Sequence, residues 1–346
     1  MSTHPLWQRY QDLKNAEPRL RIRDAAARIG VAEGELVAHD PAARRLRPDW
    51  APLLGGLKAA GPLLALTRNE AAVHEKTGVY DHLQIDGAIG LALNPEIDLR
   101  LFLSQWAHAF AVGGERPSLQ IFDRHGDAVH KVYATDRSDR AALAALFDAF
   151  AAEPAPVVPE PRAATAEKPD AGIDVEAFRS EWRALTDTHE FFGLTRRHGV
   201  TRTQALRLAP EGYAEETGVG AVDAVLTRAA ADGLPIMVFV ANPGCVQIHT
   251  GPVHRIVPMG PWLNVLDEGF NLHLRMDLFD RAWVVRKPTS DGTVTSLECF
   301  DRDGTLLVQF FGERKPGKPE LPAWTALADS LAAIAPGTPR EEASHA

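Results

Sequence analysis

Cysteine is scarce in this chain. Only Cys245 and Cys299 occur, and neither stands in a CxxC pair. That excludes a disulfide framework and a cysteine zinc cage, and fits a reducing cytosol. No apolar run reaches the ~18–20 residues of a membrane span. The opening MSTHPLWQRYQDLKNAEPRL has neither the basic nor the apolar region of a signal peptide. A cytoplasmic protein, not inserted in a membrane, is expected. Positive charge is not in excess either: 37 Lys and Arg against 46 Asp and Glu leave a net charge of −9, so no nucleic-acid partner is expected. Familiar site signatures are missing too. There is no GxGxxG opening a βαβ unit and no GxSxG, and the P-loop-like run Gly312–Lys318 is followed by Pro319 where Ser or Thr is needed. HTGPVH (His249–His254) lacks a third metal ligand at a workable spacing.

What the chain does have is a long unit written twice. Phe270–Val285 lies 173 residues after Ile97–Val112, so that Leu272, Leu274, Ala282 and Val285 meet Leu99, Leu101, Ala109 and Val112. The same offset lays Asn242, Val246, Thr250, Gly251 and Gly260 on Asn69, Val73, Thr77, Gly78 and Gly87. Downstream, SLECFDRDG (Ser296–Gly304) falls 178 residues after SLQIFDRHG (Ser118–Gly126), the change being one loop. Such self-similarity indicates a duplicated architecture.

Each copy alternates apolar and polar residues in short runs, as in Leu99, Leu101 and Leu103 between Arg100, Phe102 and Ser104. Phe122–Gly126 and Phe300–Gly304 have the Asp and Gly of hairpin turns. Each half thus holds an antiparallel meander, preceded by helical patterns and followed by one helix, Arg140–Ala152 or Trp324–Ile334. The class is α+β, duplicated. With 45% hydrophobic residues there is enough for a sizeable core. The prolines at 154, 156, 159, 161 and 169 argue for a semi-extended spacer. The expected organisation is a first repeat over 1–152, a proline-rich linker over 153–171, a second repeat over 172–335, and a disordered tail over 336–346. After the linker, Asp174 is a good N-cap for one long helix, with Phe178, Trp182, Leu185, His189 and Phe192 on one face.

Few residues stand out as chemistry. His189, on that apolar stripe, reads either as a core histidine satisfied by a hydrogen bond or as an axial iron ligand in an apolar slot. Arg100 interrupts an apolar strand. It either pairs with Asp98 or Glu96 or faces a cleft, where it could meet an anion or an iron-bound ligand. Arg286, Lys287, Arg314 and Lys315, with Arg202 on a preceding helix, read either as a solvated rim or as a clamp for carboxylates.

Several separated stretches resemble one family in order: DTHEFFGL (Asp187–Leu194), NPGCVQIHTGPV (Asn242–Val253), FNLHLRMDLFDRAWVVRKPT (Phe270–Thr289) and FDRDGTLLVQFFGER (Phe300–Arg314). NEAAVHEKTGVY and IDLRLFLSQWAHAFAV are similar to that family's first half. The family is the cytosolic haem-trafficking and haem-degrading proteins of bacterial haem uptake and iron acquisition, the HemS/ChuS/PhuS-type hemin-degrading factors. The resemblance covers nearly all of the chain except linker and tail. It implies two large antiparallel β-sheets stacked as a saddle, with haem (iron protoporphyrin IX) between the halves. It further implies His189 as the axial metal ligand and Arg100 facing the iron as the catalytic group. Arg202, Lys287 and Arg314 are implied at the propionates, with Gln309 and Phe311 nearby. Some members carry tyrosine at the Phe311 position, so a hydroxyl contact is missing here. The implied partners are haem, an inner-membrane haem importer, and a haem oxygenase or reductase. Two activities stay open: oxidative opening of the macrocycle, or a non-enzymatic haem chaperone delivering to a separate oxygenase. Binding of another planar anionic ligand is a third reading.

Overall fold

The computed structural model describes residues 4–162, 167–315 and 317–336. The expected tail, apart from Pro336, and residues 163–166 of the expected linker lie outside them. The order of elements runs twice. Three helices (Pro5–Ala16, Ile22–Ile29, Glu33–Val37), a short strand (Ala43–Leu46) and a helix (Trp50–Gly56) precede five strands between Pro62 and Phe102. A 3-10 turn, three more strands (Trp106–Val112, Ser118–Asp123, Ala128–Ala134) and the helix Arg140–Ala149 follow. The second copy repeats this from Val175–Arg183 to Pro322–Ala332, element for element. The strands gather into two large antiparallel sheets of nine.

Two compact units result, and each borrows a piece of the other repeat. Of the described residues, the first comprises 4–68, 74–162 and 241–247; the second comprises 69–73, 167–240, 248–315 and 317–336. The borrowed turns are organised by the equivalent residues Asn242 and Asn69. In the first unit, Asn242 accepts from the Gly244 and Cys245 amides through Oδ1, and donates Nδ2 to the Arg68 and Val129 carbonyls. In the second, Asn69 accepts from the Ala71 and Ala72 amides and donates to the Leu307 carbonyl. A short amide side chain can satisfy a tight turn and its neighbour together, which is why Asn suits both places.

The first unit's core is built from Leu53, Leu54, Leu63, Leu99, Leu101, Leu119, Ile121 and Phe147. The second packs Val225, Leu226, Val238, Leu272, Leu297, Phe310 and Trp324 on one side, and Phe178, Trp182, Phe191 and Leu206 on another. The expected hairpin turns are present. Asp123 and Asp301 each accept two backbone amides, and Gly126 and Gly304 take φ of 78° and 79°.

One expectation is corrected. The stretch after Asp174 is two helices, Val175–Arg183 and Glu190–His198, and not a single one. Asp174 does cap the first, accepting from the Ala177 amide at 3.0 Å. The break arises because the Glu190 carboxylate accepts the Thr186 and Asp187 amides, and Asp187 accepts the His189 amide at 2.8 Å. Local side-chain acceptors thus outbid the helical ladder. The buried face runs Phe178, Trp182, Leu185, Phe191 and Leu194, while Phe192 is 68% exposed.

Candidate functional site

The helix break sets the character of His189. It sits at the N-terminus of the second helix with its side chain 91% exposed, so it is not the core histidine that the apolar stripe allowed. Its Nδ1 lies 2.6 Å from the Asp187 carboxylate, which leaves Nε2 directed away from that partner. A carboxylate on one imidazole nitrogen fixes the tautomer and orientation and strengthens the other nitrogen as a ligand. The Asp187 carboxyl is held below its usual range, first by the His189 amide and side chain, with a smaller contribution from the Arg314 charge. The loop is tied down where the Ser290 amide donates to the Thr186 carbonyl at 2.9 Å. Beside it opens a cavity of ≈ 350 Å³ lined by Leu185, His189, Gly193 and Arg197, among others. Exposed Phe192, one turn along, adds an apolar surface.

The expected carboxylate clamp is brought together, but around a carboxylate the protein supplies itself. Glu298, on the strand Gly292–Phe300, is 0% exposed. Its Oε2 accepts from Arg202 Nε at 2.7 Å; its Oε1 accepts from Arg202 Nη2 at 2.8 Å and Lys287 Nζ at 2.6 Å. Ser296 Oγ and Gln309 Nε2 add two longer bonds, both 3.1 Å. The cross-strand register explains the gathering: Glu298 stands opposite Gln309, and Ser296 opposite Phe311. Burial alone would raise the Glu298 carboxyl, but the Arg202 and Lys287 charges hold it well below the usual carboxylate range. Burial depresses Lys287, with Glu298 opposing that shift. Lys287 is only 4% exposed, and both cations lie over the Phe191 ring. Arg202 keeps partial exposure. Arg314 stands apart from this group, 3.7 Å from Asp291 and close enough to Asp187 to act on its carboxyl. Phe311 packs its ring on Phe239, centroids 4.9 Å apart.

Arg100 belongs to the first unit, on the strand Asp98–Phe102, and its guanidinium pairs with Asp98 as the simpler reading allowed. The sheet face around it is informative. Register places Leu91 and Val246 on either side of Arg100, and Ile89 beside Phe102. The inward face carries buried Leu99, Leu101, Ala92 and Cys245, so this outward face is a partly exposed apolar surface with one guanidinium in it. His273, the repeat partner of Arg100, is bonded to Asn264 in the second unit at 2.7 Å. His249 lies on a strand and stacks on Phe270.

Sequence reasoning missed Glu298 and Asp187. Glu298 had a signal: a lone carboxylate inside the otherwise apolar SLECF, with the neutral Gln120 in the first copy. Asp187 lies two residues from His189, but only the helix break turns the two toward each other.

A family model described as the haemin-degrading HemS.ChuX domain matches residues 30–150 and 199–331, more than half of the chain. The hemin transport protein HmuS of Yersinia pestis is 42% identical over 329 residues, covering 92% of this chain and 95% of its own. The crystal structure of holo-PhuS, a heme-binding protein from Pseudomonas aeruginosa, superposes with a TM-score of 0.93 at 49% identity, covering 96% of this chain and 99% of that one. ChuS, an E. coli heme oxygenase, has a TM-score of 0.86 at 41% identity, covering 95% and 99%.

Proposed function

Because the chain belongs to the HemS/ChuX-domain family of haemin-degrading proteins, we propose that it binds haem through His189 and serves bacterial haem uptake by degrading or passing on that haem. The observation that carries this is the His189–Asp187 pair: an exposed imidazole whose Nδ1 is held and whose Nε2 is offered. Haem is substrate or cargo here, and the residues suit its chemistry. Iron takes the imidazole, the macrocycle takes apolar surface such as Phe192, and the propionates take Arg202 and Lys287, with Gln309 and Phe311 beside them, and the separate Arg314. Arg100 adds a guanidinium set in an apolar face. That group is a weak iron ligand because it keeps its proton at physiological pH, and it is rich in N–H donors. The fold is α+β with no helix among the described residues long and apolar enough to cross a membrane, which suits a cytoplasmic role alongside an inner-membrane importer and an oxygenase or reductase.

Degradation is the reading we put first, with Arg100 as the donor group. Transfer is a second reading, favoured by the exposure of His189, since an exposed single ligand lets haem leave. One experiment separates them. Haem-loaded protein is followed spectroscopically with ascorbate or an NADPH-driven reductase, in air and with catalase. Loss of the haem band with an open-chain tetrapyrrole appearing, slowed in Arg100→Ala, is the expected result. Intact haem with rapid direct transfer to an acceptor haem protein would leave the carrier role alone. No spectral change on adding haem to wild type, or an unchanged spectrum and affinity in His189→Ala, would remove the ligand assignment.

A further inference from the structure

The end of the expected linker, Glu167–Asp170, is bonded along the helix Arg202–Arg207 of the second unit. Residues 201, 204 and 207, each three apart, all hold it. Thr201 Oγ1 caps the helix by accepting the Gln204 amide at 3.1 Å, and donates to Glu167 at 2.8 Å. Gln204 Nε2 donates to the Lys168 carbonyl and to the Asp170 carboxylate, both at 2.7 Å. Arg207 Nη2 donates to Glu167 at 2.6 Å and to Asp170 at 2.9 Å. Gln204 and Arg207 hold the Asp170 carboxyl below its usual range, and Arg207 does the same for Glu167, so both are ionised at neutral pH. The helix has only six residues, too few to keep its shape without tertiary ties. Thr203, Ala205 and Leu206 bury it on the side of the core.

Two features set Gln204 apart from ordinary packing. It is 0% exposed, and its Oε1 has no hydrogen-bond partner among the described residues, a burial cost that an apolar side chain would avoid. In the first repeat, 179 residues earlier, the same position is Ala25, also 0% exposed. The architecture therefore accommodates an apolar residue there, and the buried amide belongs to the repeat that carries His189 and Arg202. Arg202 is the first residue of the helix, directly after the Thr201 cap, so its backbone goes where the first turn goes. A guanidinium fork depends on direction as well as distance, and a small shift of that turn would spoil its approach to a carboxylate.

We propose that Gln204 is a positioning residue for the haem propionates: it ties the helix to the linker segment Glu167–Asp170, and the tie holds Arg202 where the ligand meets it. This rests on the reading of Arg202 as a propionate group given above. The linker thus has a part in ligand recognition beyond joining the repeats.

The test compares ferric haem with haem dimethyl ester, whose propionates carry no charge, on the full-length protein. Wild type should bind haem more tightly than the ester. Arg202→Ala should lose about tenfold of that preference. Gln204→Leu should lose at least about threefold of it, with the affinity for the ester and the His189-dependent spectrum unchanged. In the Arg202→Ala background the same change should cost less than about threefold. A smaller loss in the wild-type background, an equal fall for haem and ester, or an undiminished loss without Arg202 would each overturn the proposal and leave the clamp standing. A wild type that does not distinguish haem from its ester removes the clamp reading and the proposal with it. If Gln204→Leu does not fold, Glu167→Ala/Asp170→Ala takes its place, since those side chains are 38% and 44% exposed. By charge alone, removing two carboxylates would raise the preference for the anionic ligand. A loss of at least about threefold is expected from positioning, and anything less, or a gain, overturns it.

Discussion

Acidification is expected to loosen the first unit through one residue, His130. Its ring is 1% exposed. Nε2 lies 2.8 Å from the Tyr80 hydroxyl and Nδ1 2.9 Å from the Thr67 hydroxyl, with Cys245 Sγ 3.3 Å from the same Thr67 oxygen. With a hydroxyl on each nitrogen, neutral His130 donates through one and accepts through the other. Burial pushes its pKa down from 6.5 to about 3. The folded value lies below the unfolded one, so the contribution is fully present above about pH 6.5 and is lost as pH falls toward 3. Between pH 7 and pH 5 the unfolded chain gains about three-quarters of a proton at this site and the folded chain almost none. The linkage is worth ~2 kcal/mol over that interval and approaches ~5 kcal/mol below pH 3. The network also holds Cys245, whose neighbour Val246 pairs with Arg100. The assay is denaturant unfolding of wild type and His130→Gln at pH 7 and pH 5, with imidazole nitrogen shifts showing whether His130 stays neutral. The wild type should lose ~2 kcal/mol more than the variant. Parallel losses within about 0.5 kcal/mol, or a His130 that protonates near pH 6.5, would refute the reasoning.

Other outcomes follow from the same geometry. His189→Ala should leave unfolding stability within ~1 kcal/mol, since the side chain is exposed and its one ion pair is a surface one, while haem affinity falls and the absorption band shifts in titration. Arg202→Ala breaks a bidentate pair to a buried carboxylate. Such breaks cost about 3–5 kcal/mol, and with Arg202 partly exposed and Lys287 remaining we expect ~2–3, together with haem affinity lowered about tenfold or more; a thermal melt and a haem titration read the two effects separately. Gly126→Ala should destabilise by ~1–3 kcal/mol, because φ is +78° and a Cβ would meet that of Ala32 at 2.6 Å. Gly87→Ala, at φ +56° but with nothing within 4 Å, should cost less in the same denaturation series.

The repeat and the class of fold lay open in the sequence because both are set by local pattern. Alternating Leu99, Leu101 and Leu103, the Asp–Gly turns, and Asn69 repeated as Asn242 each impose geometry within a few residues. The residue types of the candidate site were legible through family resemblance, since His189, Arg100, Lys287, Gln309 and Arg314 lie in stretches that carry it, and the resemblance implies Arg202 beside them. Tertiary structure decided what those residues have for neighbours. Helical periodicity ran on through Thr186–His189, but Glu190 and Asp187 compete for the backbone amides there, and the outcome turns a stripe histidine into an exposed one held by a carboxylate. Glu298 meets Arg202 across 96 residues of chain, through a strand register that no local pattern encodes. Periodicity fixes which side of its own element a residue faces. Which charge waits on that side is decided only when distant segments pack, because Coulomb and hydrogen-bond energies depend on separation in space and not along the chain.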